Sequence, residues 1–426
     1  MTAINSDRSS PSKTSVSPPI FTRSSTPDSD SSAGTSIANN TLISPTRKFP
    51  YAVGFTTTAA RHQPPEPFGL GYATKCPLSP RPENWTTLSK PNYCLSRHLI
   101  GVRAVGDDAK TLTITAVIRT GHNRGAQLVV VNDDMVAKVY DPLYYSEENE
   151  FGLKEDVVFD AYSDYSREAA AYHELQKSPA AREVTPAFYG TWTIPIDTLI
   201  RDGDRVQKHT CQVPLVLMEH IQGETMRNIN ARALSKQTRS YLLKRILEAD
   251  IVIYHAGVSN SDFCPRNIII TGLQTNPKDD VPDGMTIKAI DFNVATVRRH
   301  PQCHGNEVAR EIDEEYQAWF PKLPSPLLRW FSSMGEFAWD EWCPSGDGEP
   351  ELWLWENYHD DERYIPVIWD PSNPDTRPEY AEVESSSEKS VDSGLGLDMV
   401  VEKGEEGGNK SGLELADHGV PAVQSS

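Results

Sequence analysis

Cysteine is scarce in this chain. Its six residues, Cys76, Cys94, Cys211, Cys264, Cys303 and Cys343, are scattered over 426 positions, and none are paired at metal-ligand spacing. That excludes a disulfide framework and a zinc site, and it suits a reduced compartment. Positive charge is also short. With 41 Lys and Arg against 60 Asp and Glu, the formal charge is -19, which argues against a nucleic-acid binder that works by neutralising phosphates. No apolar run approaches the ~18 residues that a membrane span needs, and the first residues lack the apolar core of a secretory signal. The expectation is an intracellular protein, cytoplasmic or nuclear, with neither nucleic acid nor membrane as a partner.

Apolar residues make up 38% of the chain, enough for two compact lobes with tails. The first 50 residues are dominated by Ser, Thr, Pro and Asn, and cannot bury enough surface to offset chain entropy. They read as a disordered tail. The loose likeness of this segment to a mitochondrial transit peptide is the lesser reading. Its Ser-Pro and Thr-Pro pairs at Ser10, Ser17, Thr26 and Ser44 fit proline-directed phosphorylation, and are also ordinary in such a composition. The acidic stretch from residue 373 to 426 reads as a second disordered, solvated tail.

Between the tails, the segments starting at Leu112 and Ala126 alternate as strands, joined by the turn Gly121-His-Asn-Arg-Gly125. Met135-Val-Ala-Lys-Val-Tyr is a third strand. The alanine-rich segment from Tyr165 to Gln176 predicts a helix, and the apolar run from Val213 to Ile221 another strand. From Ser235, a natural N-cap, apolar residues Leu242, Ile246, Leu247, Ile251 and Tyr254 recur at helical spacing until Gly257. Next come Asp262 and Asn267 on a loop, the strand at Ile268, a polar excursion over residues 274–284, and a strand from Thr286 that runs into Asp291. The last two strands predict a hairpin with polar residues at its ends.

Four features now stand in order: Lys138 inside an apolar strand, the helical acid Glu168, Asp262 with Asn267 on a loop, and Asp291 closing a strand. Phosphoryl transfer needs such a set: a cation for the phosphates, an acid to fix that cation, a carboxylate for the acceptor hydroxyl, and oxygen ligands for magnesium. The motifs Met135-Val-Ala-Lys, Ser166-Arg-Glu-Ala, Asp262-Phe-Cys-Pro-Arg-Asn and Ile290-Asp-Phe-Asn resemble those of the protein kinase-like superfamily over about residues 108 to 300. A weaker similarity, carried by Pro324-Ser-Pro-Leu-Leu-Arg-Trp and Tyr364-Ile-Pro, is to kinase-like proteins of filamentous fungi.

The resemblance implies an α+β bilobal fold. A small antiparallel-sheet lobe would span residues 108–220, a helical lobe 221–372, and an extension over 51–107 would pack on the sheet lobe. It implies ATP and Mg2+ as cofactors, with Lys138 on the phosphates, Glu168 fixing it, Asp262 as base or orienter, and Asn267 and Asp291 as metal ligands. Met218 would sit at the back of the adenine pocket, backbone groups of Glu219 and Ile221 would bond the base, and Gly121 and Gly125 would border the phosphates. The implied activity is transfer of the ATP γ-phosphate to a protein Ser/Thr hydroxyl by a monomer. The alternatives are a small-molecule kinase of aminoglycoside or choline type, for which Asp340, Glu341, Glu349, Glu351 and Glu356 would bind a cationic acceptor, and an ATP-binding scaffold without turnover.

The chain departs from the family pattern at several points. Asn260 and Ser261 replace the usual histidine and arginine before the aspartate, Asn293 replaces a glycine, and no Ala-Pro-Glu segment follows before Pro321. The tryptophans between Glu311 and Trp369 read as core filling rather than a base-stacking platform.

Overall fold

The computed structural model describes residues 49–381, apart from 101–102, 203–204, 274–283, 318, 340, 345, 347 and 374–375. It mixes helices with antiparallel sheets, an α+β chain. Strands β1 (Thr56–Gln63) and β2 (Arg103–Arg119) flank helix α1 (Lys90–Ser96), and β3 (Gln127–Val131) and β4 (Met135–Val139) follow. Helices α2 (Val157–Leu175) and α3 (Pro179–Val184) then lead to β5 (Phe188–Asp202) and β6 (Arg205–Glu219). These six strands close into a barrel in the order β1-β2-β3-β4-β6-β5.

Side-chain alternation divides the barrel wall between two cores. Val129, Val131, Ala137, Val139, Leu215 and Leu217 fill the inside. Val136, Val216 and Met218, at the intervening positions, join the core shared with the helices. Lys138 lies in the same alternation as Val136, so it leaves the sheet on the helix side.

Strands β1 and β5 were not legible. β1 reads Thr-Thr-Thr-Ala-Ala-Arg-His-Gln, with no apolar alternation, and is a strand because it pairs with both β2 and β5. β5 carries Pro195, which ordinarily argues against a strand. The apolar run expected from Val213 to Ile221 ends within β6 at Glu219. The expected boundaries also shift. Residue 108 falls inside β2, and the segment 51–107 supplies a barrel strand as well as packing against the barrel.

Helix α2 begins eight residues before the expected Tyr165. Its first turns are β-branched and aromatic, poor helix formers that gain from burying Val157, Val158 and Ala161. Asp156 caps them by accepting from Phe159 N (3.0 Å). The helix expected after Ser235 is α4 (Lys236–His255): Ser235 Oγ accepts from Thr238 N (3.0 Å), and Gly257 follows its end with φ 96.

Short strands β7 (Glu224–Thr225), β8 (Val258–Asn260), β9 (Ile268–Thr271), β10 (Thr286–Ala289) and β11 (Ala295–Val297) hold the loops beside α4. β9 and β10 form the expected hairpin. Most of the polar excursion between them lies outside the described residues.

Helices α5 (Asn306–Gln317), α6 (Pro326–Trp330), α7 (Gly335–Trp339) and α8 (Glu349–Tyr358) complete the helical part. Trp330, Trp342 and Trp353 are buried there, as core filling requires. Strand β12 (Val367–Ile368) pairs with β13 (Glu379–Tyr380), so the fold continues past residue 373, where a disordered tail was expected. Tyr380 Oη accepts from Ser325 N (3.2 Å), which ties that end down. All six cysteines are free thiols. Among the described residues no helix is long and apolar enough to cross a membrane.

One buried group sets a pH limit. His62, 4% exposed, stacks on Tyr165 with centroids 5.7 Å apart, and burial lowers its pKa from 6.5 to about 4. The unfolded chain therefore binds a proton between those values that the native state refuses. Stability is lost as pH falls from about 6.5 toward 4, by on the order of 3 kcal/mol. His62→Phe keeps the stacking and is expected to flatten this slope in urea titrations across that window; an unchanged slope would place the cause elsewhere.

Candidate active site

Lys138 sits mid-strand in β4, whose five residues are all buried. Its Nζ donates to Glu168 Oε2 (2.5 Å) on α2 and to Asp291 Oδ1 (2.5 Å) just after β10. Glu168 is fully buried, and its Oε2 also accepts from the Tyr140 hydroxyl. Its other oxygen, Oε1, has no hydrogen-bond partner among the described residues. Glu174, further along the same helix, pairs with Lys177 (2.5 Å) and not with Lys138.

The electrostatics of this trio follow from burial and pairing. Burial alone would lower the Lys138 pKa, yet the Asp291 and Glu168 carboxylates outweigh it and hold the ammonium above its usual value. Burial likewise pushes Asp291 up, but Lys138 more than reverses this and keeps it below the usual aspartate range. Glu168 goes the other way, because burial exceeds the pull of Lys138.

Asp262 and Asn267 lie on the loop between β8 and β9. Asn267 Nδ2 donates to the Asp262 backbone O (2.9 Å) and to its Oδ2 (2.8 Å), while Arg266 pairs with Oδ1. Committing Nδ2 in this way leaves Asn267 Oδ1 as a neutral oxygen donor, and Asp291 has Oδ2 beside the oxygen held by Lys138. Two hard oxygens of this kind are what a magnesium ion takes from protein when phosphates and water supply the rest. Among the described residues no group of three or more His, Cys, Asp or Glu side chains could hold a metal.

Asn260 joins the two halves. Its Nδ2 donates to Asp291 O (3.3 Å) and its Oδ1 accepts from Asp262 N (3.1 Å). Ser261 Oγ donates to Val294 O (3.2 Å), and Ile290 N donates to Asn267 O (2.9 Å). Of the two departures from the family pattern, Asn260 therefore cross-links the candidate base and the candidate metal ligand, and Ser261 ties the same loop to Val294, three residues past Asp291. Asp291 itself adopts φ 65, a left-handed conformation that is uncommon outside glycine and concentrates at functional sites. Sequence reasoning missed Tyr140 and the bridging role of Asn260, since neither spacing nor residue type signals a partner across the fold.

The remaining expected positions lie around this centre. Met218 is buried, and its Sδ accepts from Tyr172 Oη (3.4 Å). Glu219 has its N–H committed to Ala187 O (2.9 Å), and its carboxylate accepts from Ala187 N (3.0 Å). Of that residue, the N–H is thus unavailable to a base. Ile221 lies half-buried past the end of β6. The glycine turn also departs from expectation. Gly121 N donates to Gln127 Oε1 (2.6 Å) and Gly125 N to Tyr144 O (3.3 Å), so phosphate contacts from these amides would require the turn to open.

The segment after Asp291 is short and pinned. Tyr72 Oη accepts from Val297 N (2.7 Å), Ala73 N donates to Gln302 O (2.7 Å), and His304 N to Gly71 O (2.9 Å). A Cβ on Gly71 would lie 2.5 Å from Thr296 Cγ2, so only glycine permits this approach. Of the acids considered for a cationic acceptor, Glu341 pairs with Arg232 and Glu349 accepts from Gly346 N (3.0 Å); Asp340 lies outside the described residues.

No family model and no curated protein matches the sequence. Among solved structures, the chain is similar to a crystal structure of WbdD at 13% identity and TM-score 0.29, covering 60% of this chain and 52% of that one. A second structure, of the bifunctional kinase-methyltransferase WbdD, matches at the same identity and TM-score, covering 61% and 54%. The chain thus spans about half the length of the structures it matches, and superpositions this loose assign no fold.

Proposed function

We propose that this protein is an ATP-dependent phosphotransferase of bilobal, protein kinase-like architecture, the barrel with α2 forming one lobe and the helices around α4 the other. The observation that carries the reading is Lys138 bridging Glu168 and Asp291 at 2.5 Å each, with the Asp262–Asn267 loop cross-linked beside them. In this reading Lys138, held by Glu168, binds the nucleotide phosphates. Asn267 Oδ1 and Asp291 hold Mg2+, which when bound neutralises charge on the transferring phosphoryl group. Asp262 orients the acceptor hydroxyl and takes its proton, once the Arg266 contact loosens.

We take the acceptor to be a protein Ser/Thr hydroxyl. A second reading, a small hydroxyl compound, is favoured by the short segment 292–305, which is fastened to residues 71–73 and offers little for a peptide to dock on. Transfer from labelled ATP, screened over proteins and small hydroxyl metabolites with Asp262→Ala as blank, tests the proposal and chooses between acceptors. Nucleotide binding without transfer to any acceptor would leave a scaffold in place of an enzyme.

A further inference from the structure

The ladder from β2 to β6 contains one row that reaches beyond Lys138. Arg119 stands opposite Leu128, Leu128 opposite Lys138, and Lys138 opposite Val216. Residues directly opposite in an antiparallel ladder leave the sheet on the same face. Arg119 therefore rises from the face that carries Lys138, two strands and roughly 10 Å away.

A local irregularity produces this placement. Val117 stands opposite Val129, whose side chain fills the barrel, and regular pairing would put Ile118 opposite Leu128 and set Arg119 in the inward alternation. Instead the register shifts between Val117 and Arg119, which re-aims the arginine to the outer face. Its guanidinium makes no hydrogen bond or ion pair among the described residues, and the side chain is exposed. The turn that follows has Gly121, Arg124 and Gly125 amides already bonded within the chain.

We infer that Arg119 is a second phosphate-binding cation, reaching the terminal phosphates of the nucleotide from the sheet side in place of the engaged turn amides. This rests on the ATP reading above and adds to it a residue that no motif identifies. A bidentate guanidinium suits phosphate oxygens better than the point charge of a lysine.

The test is the affinity of the full chain for Mg-ATP and for adenosine, measured for the unmodified protein, Arg119→Ala and Arg119→Lys. The side chain is exposed, so folding is not at stake. Arg119→Ala is expected to weaken ATP binding about tenfold or more, as loss of a charge-assisted contact does, with adenosine binding unchanged. Arg119→Lys should recover part of the loss, and ATP binding by Arg119→Ala should depend less on salt. An alanine variant that binds ATP as tightly as the unmodified protein, or loses ATP and adenosine alike, overturns the inference. An unmodified protein that binds no nucleotide overturns the ATP reading itself, and this inference with it.

Discussion

Replacing Lys138 with methionine is expected to lower the unfolding free energy by about 3 kcal/mol at neutral pH, the low end of what removing one partner of a buried ion pair costs. The substitution keeps the length of the side chain and removes the charge that Glu168 and Asp291 share. Glu168 is fully buried and Asp291 keeps about a quarter of its side chain in water (24%), so the burden falls mainly on Glu168. Without its counter-ion, Glu168 has a folded-state pKa raised further above its unfolded value. The native variant then binds more protons than the unfolded chain, and its stability falls as pH rises through that raised pKa. In the unmodified protein Asp291 works with the opposite sign. Its lowered pKa contributes stability above about pH 4 that is lost as pH falls through the folded value. Chemical denaturation of both proteins over a range of pH measures this. A variant as stable as the unmodified protein at every pH would mean that Lys138 is not the counter-ion of a buried carboxylate.

Asp262→Ala is expected to slow phosphoryl transfer on the order of 10²-fold or more, as loss of a general base does, while Mg-ATP binding remains. The separation follows from position. Asp262 is held by Asn267 and Arg266, and Asn260 stands between it and Asp291. A transfer rate unchanged by the substitution would remove Asp262 from the chemistry, and loss of ATP binding alone would move it to the nucleotide site.

The candidate site was more legible than the fold that carries it. A lysine in a wholly apolar strand and an Asp-x4-Asn before a β-branched run are local signals, and the structure places Lys138 against Asp291 and Asp262 against Asn267. The small residues that follow Glu168 in the sequence, Ala169 and Ala171, are fully buried, and they let α2 lie close enough for Glu168 to reach Lys138. What was illegible depends on pairing across the chain. β1 is polar and becomes a strand only between β2 and β5, and Arg119 faces the site only through a register shift. Asn260 looked like the loss of a family residue because its two hydrogen bonds join segments 31 positions apart. The glycine turn failed in the other direction. Two glycines suggested open amides, whereas Gln127 and Tyr144 already occupy them.

The most direct test of the central claim is thermal or chemical denaturation of the full chain with ATP, with and without Mg2+. At about 100 times its dissociation constant, ATP is expected to stabilise the protein by roughly 2.7 kcal/mol. The shift should require magnesium and should shrink in Asp291→Asn. No stabilisation by any nucleotide, with or without magnesium, would contradict the account.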